Sequence, residues 1–141
     1  MNFDIKEYES LPDSMTASEL SELFTNLIAI AHQQPKISRD LIMDALYELA
    51  NRQWHTYSLI HDDVKILIET WIINNFNSES LKFVENATSI APMLGLTVVV
   101  VYFKKLLQGK LSPEVRKEIE GALQEYENCI ANPYSGMPTN V

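Results

Sequence analysis

Three imidazoles, those of His32, His55 and His61, are the first candidates for metal or proton chemistry in this chain. No two of them stand four residues apart on one helix, the spacing that aims a pair at a single metal ion. They read as polar surface or as satisfied interior histidines. Cys129 is the single cysteine, so neither an intrachain disulfide nor a multi-thiolate zinc site is available, and a reducing compartment is expected. Placed at the end of the last expected helix, it reads as a bystander thiol rather than a nucleophile with a base beside it. Gly95, Gly109, Gly121 and Gly136 are isolated, so there is no phosphate-cradling loop and no dinucleotide fingerprint. No catalytic residue, metal or cofactor is expected.

The carboxylates are more suggestive. Asp40, Asp44 and Glu48 recur every four residues and place three like charges in a row along one helix face. Such pairs cost about 0.2–0.5 kcal/mol each in an isolated helix, partly offset where Glu48 faces Arg52. The row reads either as a solvated face or as an anionic strip for a basic partner, with Tyr47 as an aromatic anchor. A second acidic group, Asp4, Glu7, Glu9, Asp13, Glu19 and Glu22, meets only Lys6 and gives the first 34 residues a net charge of −5. Residues 79–110 carry Lys82, Lys104, Lys105 and Lys110 against Glu79 and Glu85, a net +2, so the molecule is electrically lopsided. A field of that kind speeds association with a cationic partner. Trp71 continues an apolar stripe and reads as core, whereas Trp54, beside His55 and Tyr57, reads equally as core or as an exposed hot spot. The partner-binding candidates are Asp13, Glu19, Glu22, Asp40, Asp44, Tyr47, Glu48 and Trp54.

Helices must position these groups. Residues 1–15 show no sustained period and read as an irregular acidic arm. Thr16-Ala17-Ser18-Glu19 has the capping-box spacing, after which Leu20, Leu23, Phe24, Leu27, Ile28 and Ala31 form a stripe that Pro35 ends. Ser38 or Asp40 opens a second helix with Leu41, Ile42, Ala45, Leu46 and Leu49 inward, closing at Asn51, and a loop or short turn follows over residues 52–60. Asp62 and Asp63 favour a third helix start through the macrodipole, with Val64, Leu67, Ile68, Trp71 and Ile72 as its stripe. Asn77 is the expected cap of a fourth helix, and Pro92 the first-turn proline of a fifth. That fifth segment contains Val98-Val99-Val100-Val101, a run with strand propensity but no second strand to pair with. A helix apolar on nearly all sides at the centre of a stack is expected instead. Ser112-Pro113 opens a sixth helix with Val115, Ile119, Ala122, Leu123 and Tyr126 inward. An all-α fold of about six helices, stacked as antiparallel α-hairpins, is predicted: arm 1–15, one helical domain 16–130, flexible tail 131–141.

With 141 residues, 46% hydrophobic and 21% charged, the chain is ordinary globular material for one core. A net charge of −8 repels phosphate backbones and anionic headgroups, so direct binding to nucleic acid or a membrane surface is not expected. The apolar stretch from Ala91 to Phe103 is interrupted and too short to span a bilayer of roughly 30 Å. The opening residues are acidic where a secretory signal is basic, so a cytoplasmic protein is expected. Ile72-Ile73 and the Trp54–Tyr57 region could support a homodimer.

The order of short helices, with Leu67-Ile68-Glu69 in the third, Ala91-Pro92 opening the fifth and Lys104-Lys105-Leu106-Leu107 ending it, resembles helical immunity proteins of bacterial polymorphic and contact-dependent toxin systems. The resemblance covers roughly residues 17–127; the arginine and asparagine expected near the end of the fifth helix are absent. It implies a cytoplasmic antidote that binds a cognate protein toxin, often a nuclease, and blocks its active site or substrate surface. The alternative is a helical-repeat adaptor or scaffold that takes its partner in an apolar groove.

Overall fold

The computed structural model describes residues 3–126, which form seven helices; among the described residues there is no strand. They are α1 (Lys6–Glu9), α2 (Ala17–Gln33), α3 (Arg39–Trp54), α4 (Asp62–Asn74), α5 (Leu81–Leu94), α6 (Thr97–Leu106) and α7 (Pro113–Tyr126). Cys129 and the expected tail lie outside the described residues.

The helices are arranged in two rows. One row holds α1, α3, α5 and α7, with α3 packed most extensively on α5, and the other holds α2, α4 and α6; α2 against α3 and α5 against α6 join the rows. This is the stacked-hairpin arrangement that the apolar stripes require, since each helix has one face to bury and finds it only against its neighbours. Leu20, Phe24 and Leu27 of α2, Ile42, Leu46 and Leu49 of α3, Ile68 and Ile72 of α4 and Phe83 and Ile90 of α5 are fully enclosed. Phe76, between α4 and α5, binds the rows together: its ring lies 5.2 Å from Phe83, 5.3 Å from Tyr102 and 6.2 Å from Phe103.

Local chemistry sets several boundaries. The Thr16 hydroxyl accepts from the Glu19 amide at 3.1 Å while the Glu19 carboxylate takes the Thr16 amide, the reciprocal cap expected for α2. Ser112 accepts from the Val115 amide at 3.3 Å ahead of Pro113. Gly95 sits at φ 66° and ψ 42°, the left-handed conformation that lets α5 end, and the amides of Gly95 and Leu96 both return to the Ala91 carbonyl.

Four sequence expectations are corrected. The arm is not irregular, because residues 6–9 form one helical turn that buries Tyr8 against α3. The cap of α5 is Ser80, whose hydroxyl accepts from the Phe83 amide at 3.1 Å, whereas Asn77 closes a turn through the Glu79 amide. Pro92 lies inside α5 rather than at the start of the next helix. The valine-rich α6 is not central: among the described residues it ends its row, packing on α4 and α5, with Val98 and Val101 about half exposed at 53% and 51%.

Candidate functional site

Asp40 and Asp44 of the α3 row meet α5 and its cap. Asp40 accepts from the Ser80 hydroxyl at 3.2 Å, and Asp44 accepts from the Asn86 amide at 3.0 Å and pairs with Lys82 at 2.9 Å. Glu48 meets Arg52 at 3.2 Å. The three carboxylates are half-buried, and each has a partner within the chain. Asp44 holds the Lys82 ammonium above its ordinary pKa, through the hydrogen bond first and charge attraction second. Two members of the row expected as an outward strip, Asp40 and Asp44, therefore help to register α3 on α5, while Glu48 pairs within α3. Tyr47, the row's expected anchor, is half-buried against the core.

The N-terminal acids are placed differently. Asp4, Glu7, Glu9, Asp13, Glu19 and Glu22 are all exposed, although the Glu19 carboxylate is held by Thr16. Those two bonds, backbone first and hydroxyl second, lower the Glu19 pKa. The arm that carries the first four acids is fixed by Arg52, which is only 5% exposed. Its guanidinium donates to the carbonyls of Leu11 at 2.8 Å, Pro12 at 3.0 Å and Glu9 at 3.4 Å, and also to the carbonyl of Glu48 at 2.9 Å and its carboxylate. A planar cation with five donors can gather several carbonyls in this way, whereas an ammonium has three. Tyr8, Phe3 and Leu11 then pack beneath the arm, with the Phe3 and Tyr8 rings 5.6 Å apart. Burial pushes the Tyr8 hydroxyl pKa up, and Glu7 adds to the shift.

Between the arm and the end of α3 lies a recess of about 450 Å³ lined by Asp13, Ser14, Met15, Asn51, Arg52 and His55. Two residues beyond it, Tyr57 is 67% exposed with φ 57°, a left-handed backbone that a tyrosine rarely adopts. Leu59 follows at 56% exposure. The turn is held by Gln53, which is buried and donates to the Ser58 carbonyl at 2.8 Å, and by the Thr56 hydroxyl on the Gln53 carbonyl at 2.7 Å. A strained residue persists only where its surroundings over-determine it, and such residues gather at functional surfaces.

Asp13, Glu19 and Glu22 thus lie on the surface, Asp40 and Asp44 lie half-buried along the α3–α5 contact, Glu48 lies half-buried beside Arg52 of its own helix, and Trp54 ends α3 half-buried. Sequence reasoning missed Arg52 as the arm's clamp, and it named Tyr57 only as one end of the Trp54–Tyr57 region, with Trp54 as the candidate hot spot. An arginine near the end of a helix otherwise polar at that edge is the only signal for the clamp, and nothing in the sequence signals the left-handed backbone of Tyr57. His32, His55 and His61 are exposed and separate, and among the described residues no three His, Cys, Asp or Glu side chains converge to hold a metal ion. No described helix is long and apolar enough to cross a membrane. Compared with protein-family models, curated proteins and solved structures, the chain matches none of them.

Proposed function

We propose that this chain is an antidote of the immunity type, which acts in a reducing cytoplasm by holding a basic, nuclease-like protein toxin against its acidic arm. The observation that carries the reading is the ordering of that arm: a buried arginine fixes an otherwise weakly patterned segment so that Asp4, Glu7, Glu9 and Asp13 are displayed on a set backbone. Preordering lowers the conformational cost of binding. Tyr57 and Leu59, exposed in the turn that follows α3, are available as apolar anchors, and an aromatic centre with a charged rim is the usual anatomy of a tight protein interface. A nuclease must present positive charge to its substrate, so an ordered set of carboxylates can occupy the same surface in place of phosphates.

The test is the rate at which the chain associates with a basic, nuclease-like toxin domain. The combined variant Glu7→Lys, Glu9→Lys and Asp13→Lys should slow association by about 10- to 100-fold at low salt, with the difference shrinking as salt rises. Tyr57→Ala should act on dissociation instead, raising it by about 30-fold. Association that ignores the triple reversal would remove the arm from the interface and the reading with it.

A further inference from the structure

The outer face of the α4–α6 pair is unusual for the end of a helical row. Terminal elements of stacked helices normally turn a polar face to solvent, yet this one presents Ile66 at 60% exposure together with Val98 and Val101. The two helices run in the same direction here. The Glu69 carboxylate, buried in mid-α4, accepts from the Val98 amide at 2.8 Å and so caps the start of α6, while the end of α4 leads to Phe76, which meets Tyr102 and Phe103 further along α6. The acids Asp62 and Asp63 open α4, and Lys105 lies in the last turn of α6.

Helical spacing aligns these groups. Asp62 and Asp63 precede Ile66 by four and three residues, and Val101 and Lys105 follow Val98 by three and seven, so each set shares one face of its helix. Asp62 lies seven residues before Glu69 and Lys105 seven after Val98, about 10 Å in each direction at a helical rise of about 1.5 Å per residue. The face is therefore negative at one end, apolar in the middle and positive at the other, with its centre at the Glu69–Val98 contact.

We infer that this face pairs with the same face of a second copy about a two-fold axis through that centre, setting Asp62 and Asp63 of each copy against Lys105 of the other. A stripe with opposite charges at its two ends is complementary to itself when turned end for end. A two-fold interface requires that self-complementarity. A parallel alignment would oppose like charges and is disfavoured. Two helix faces each about 20 Å long and 10 Å wide offer on the order of 400 Å² in projection, which is small for a stable interface. The association is accordingly weak and reversible, in the micromolar range. It uses a different surface from the acidic arm and stands whether or not the arm binds a toxin.

Sedimentation equilibrium from about 1 µM to about 1 mM reads the association directly. The intact chain should pass from monomer to dimer, and Val101→Asp should weaken dimerisation by at least about 30-fold, since it sets a charge among the apolar side chains of the contact and, one turn before Lys105, draws that lysine away from the other copy. Val101 is half exposed, and unchanged far-ultraviolet circular dichroism would show that the variant keeps its fold. Asp63→Lys and Lys105→Asp should each weaken the dimer, and the two together should restore it toward the starting affinity. A chain that stays monomeric throughout, a dimer indifferent to Val101→Asp, or a charge swap that fails to restore pairing would each overturn the inference.

Discussion

A proline in the middle of a helix removes a donor, and the residue it strands here is Thr88, whose carbonyl would otherwise take the amide four residues on. That carbonyl instead receives the Tyr126 hydroxyl from α7 at 3.1 Å, while the Thr88 side chain binds Glu118 of the same helix at 2.8 Å. Tyr126→Phe should leave a buried carbonyl short of a partner and cost about 1–3 kcal/mol, read as a lower urea midpoint. In a Pro92→Ala background, where residue 92 again has an amide to give, the same change should cost clearly less. Equal costs in both backgrounds would show that the stranded carbonyl is not the reason. The tyrosine also carries a pH signature. Burial, with Glu125 and Glu118 adding to it, raises its pKa, so the unfolded chain releases the proton first. Its contribution is complete below about pH 10, the unfolded value, and declines as pH rises above it. The intact protein should therefore lose stability more steeply in that alkaline range than Tyr126→Phe, with Tyr8, shifted in the same direction, giving a residual slope in both.

Among the elements, α1 shows how a short helix can depend on a distant side chain. One turn of helix is far below the length at which a peptide is helical alone, so the arm's order must come from the Arg52 clamp and the burial of Tyr8. Arg52→Ala should release residues 3–15 while α2 to α7 stay folded, seen as amide exchange and protease cleavage confined to the arm; Arg52→Lys should only partly restore protection. An arm equally protected in both variants would assign its order to Tyr8 alone. Elements whose signals are local were legible: the α2 capping box, the Ser112-Pro113 start of α7 and the acid-rich start of α4 all lie within a few residues of what they control. What depended on residues 30 to 43 positions away was not. The arm's helix waits on Arg52, the tolerance of Pro92 on Tyr126, and the partners of Asp40 and Asp44 on a helix some 40 residues later. The valine run was correctly read as helical because no strand could pair with it, but periodicity does not say whether an apolar face meets the same chain or another.

At the scale of the whole molecule, the net charge of −8 divides into carboxylates that hold the fold and carboxylates that face outward. Two sets of three reversals separate them. Asp40→Lys, Asp44→Lys and Glu48→Lys raise the net charge by six, from −8 to −2, and so do Glu7→Lys, Glu9→Lys and Asp13→Lys. General self-repulsion is therefore relieved equally, and any difference between the sets reflects position. The first set would press new cations toward Lys82 and Arg52 and leave Ser80 and Asn86 without their acceptors along the α3–α5 seam. Lys82 is well exposed, so its ion pair is worth at most about 1 kcal/mol, but the half-buried hydrogen bonds to charged groups add about 1.5–3 kcal/mol each. The second set touches exposed groups whose arm is anchored through backbone carbonyls, which keep their bonds to Arg52 whatever the side chains are. Urea denaturation should show the α3 set losing several kcal/mol, on the order of what a small domain has to spare, while the arm set stays within about 0.5 kcal/mol of the parent. Matching midpoints for the two sets would return the α3 row to the solvent-facing role that its spacing first suggested. The expected split would mean that the acidic row counted along α3 serves the polar contact with α5, whereas the three arm carboxylates add little to the fold and face outward.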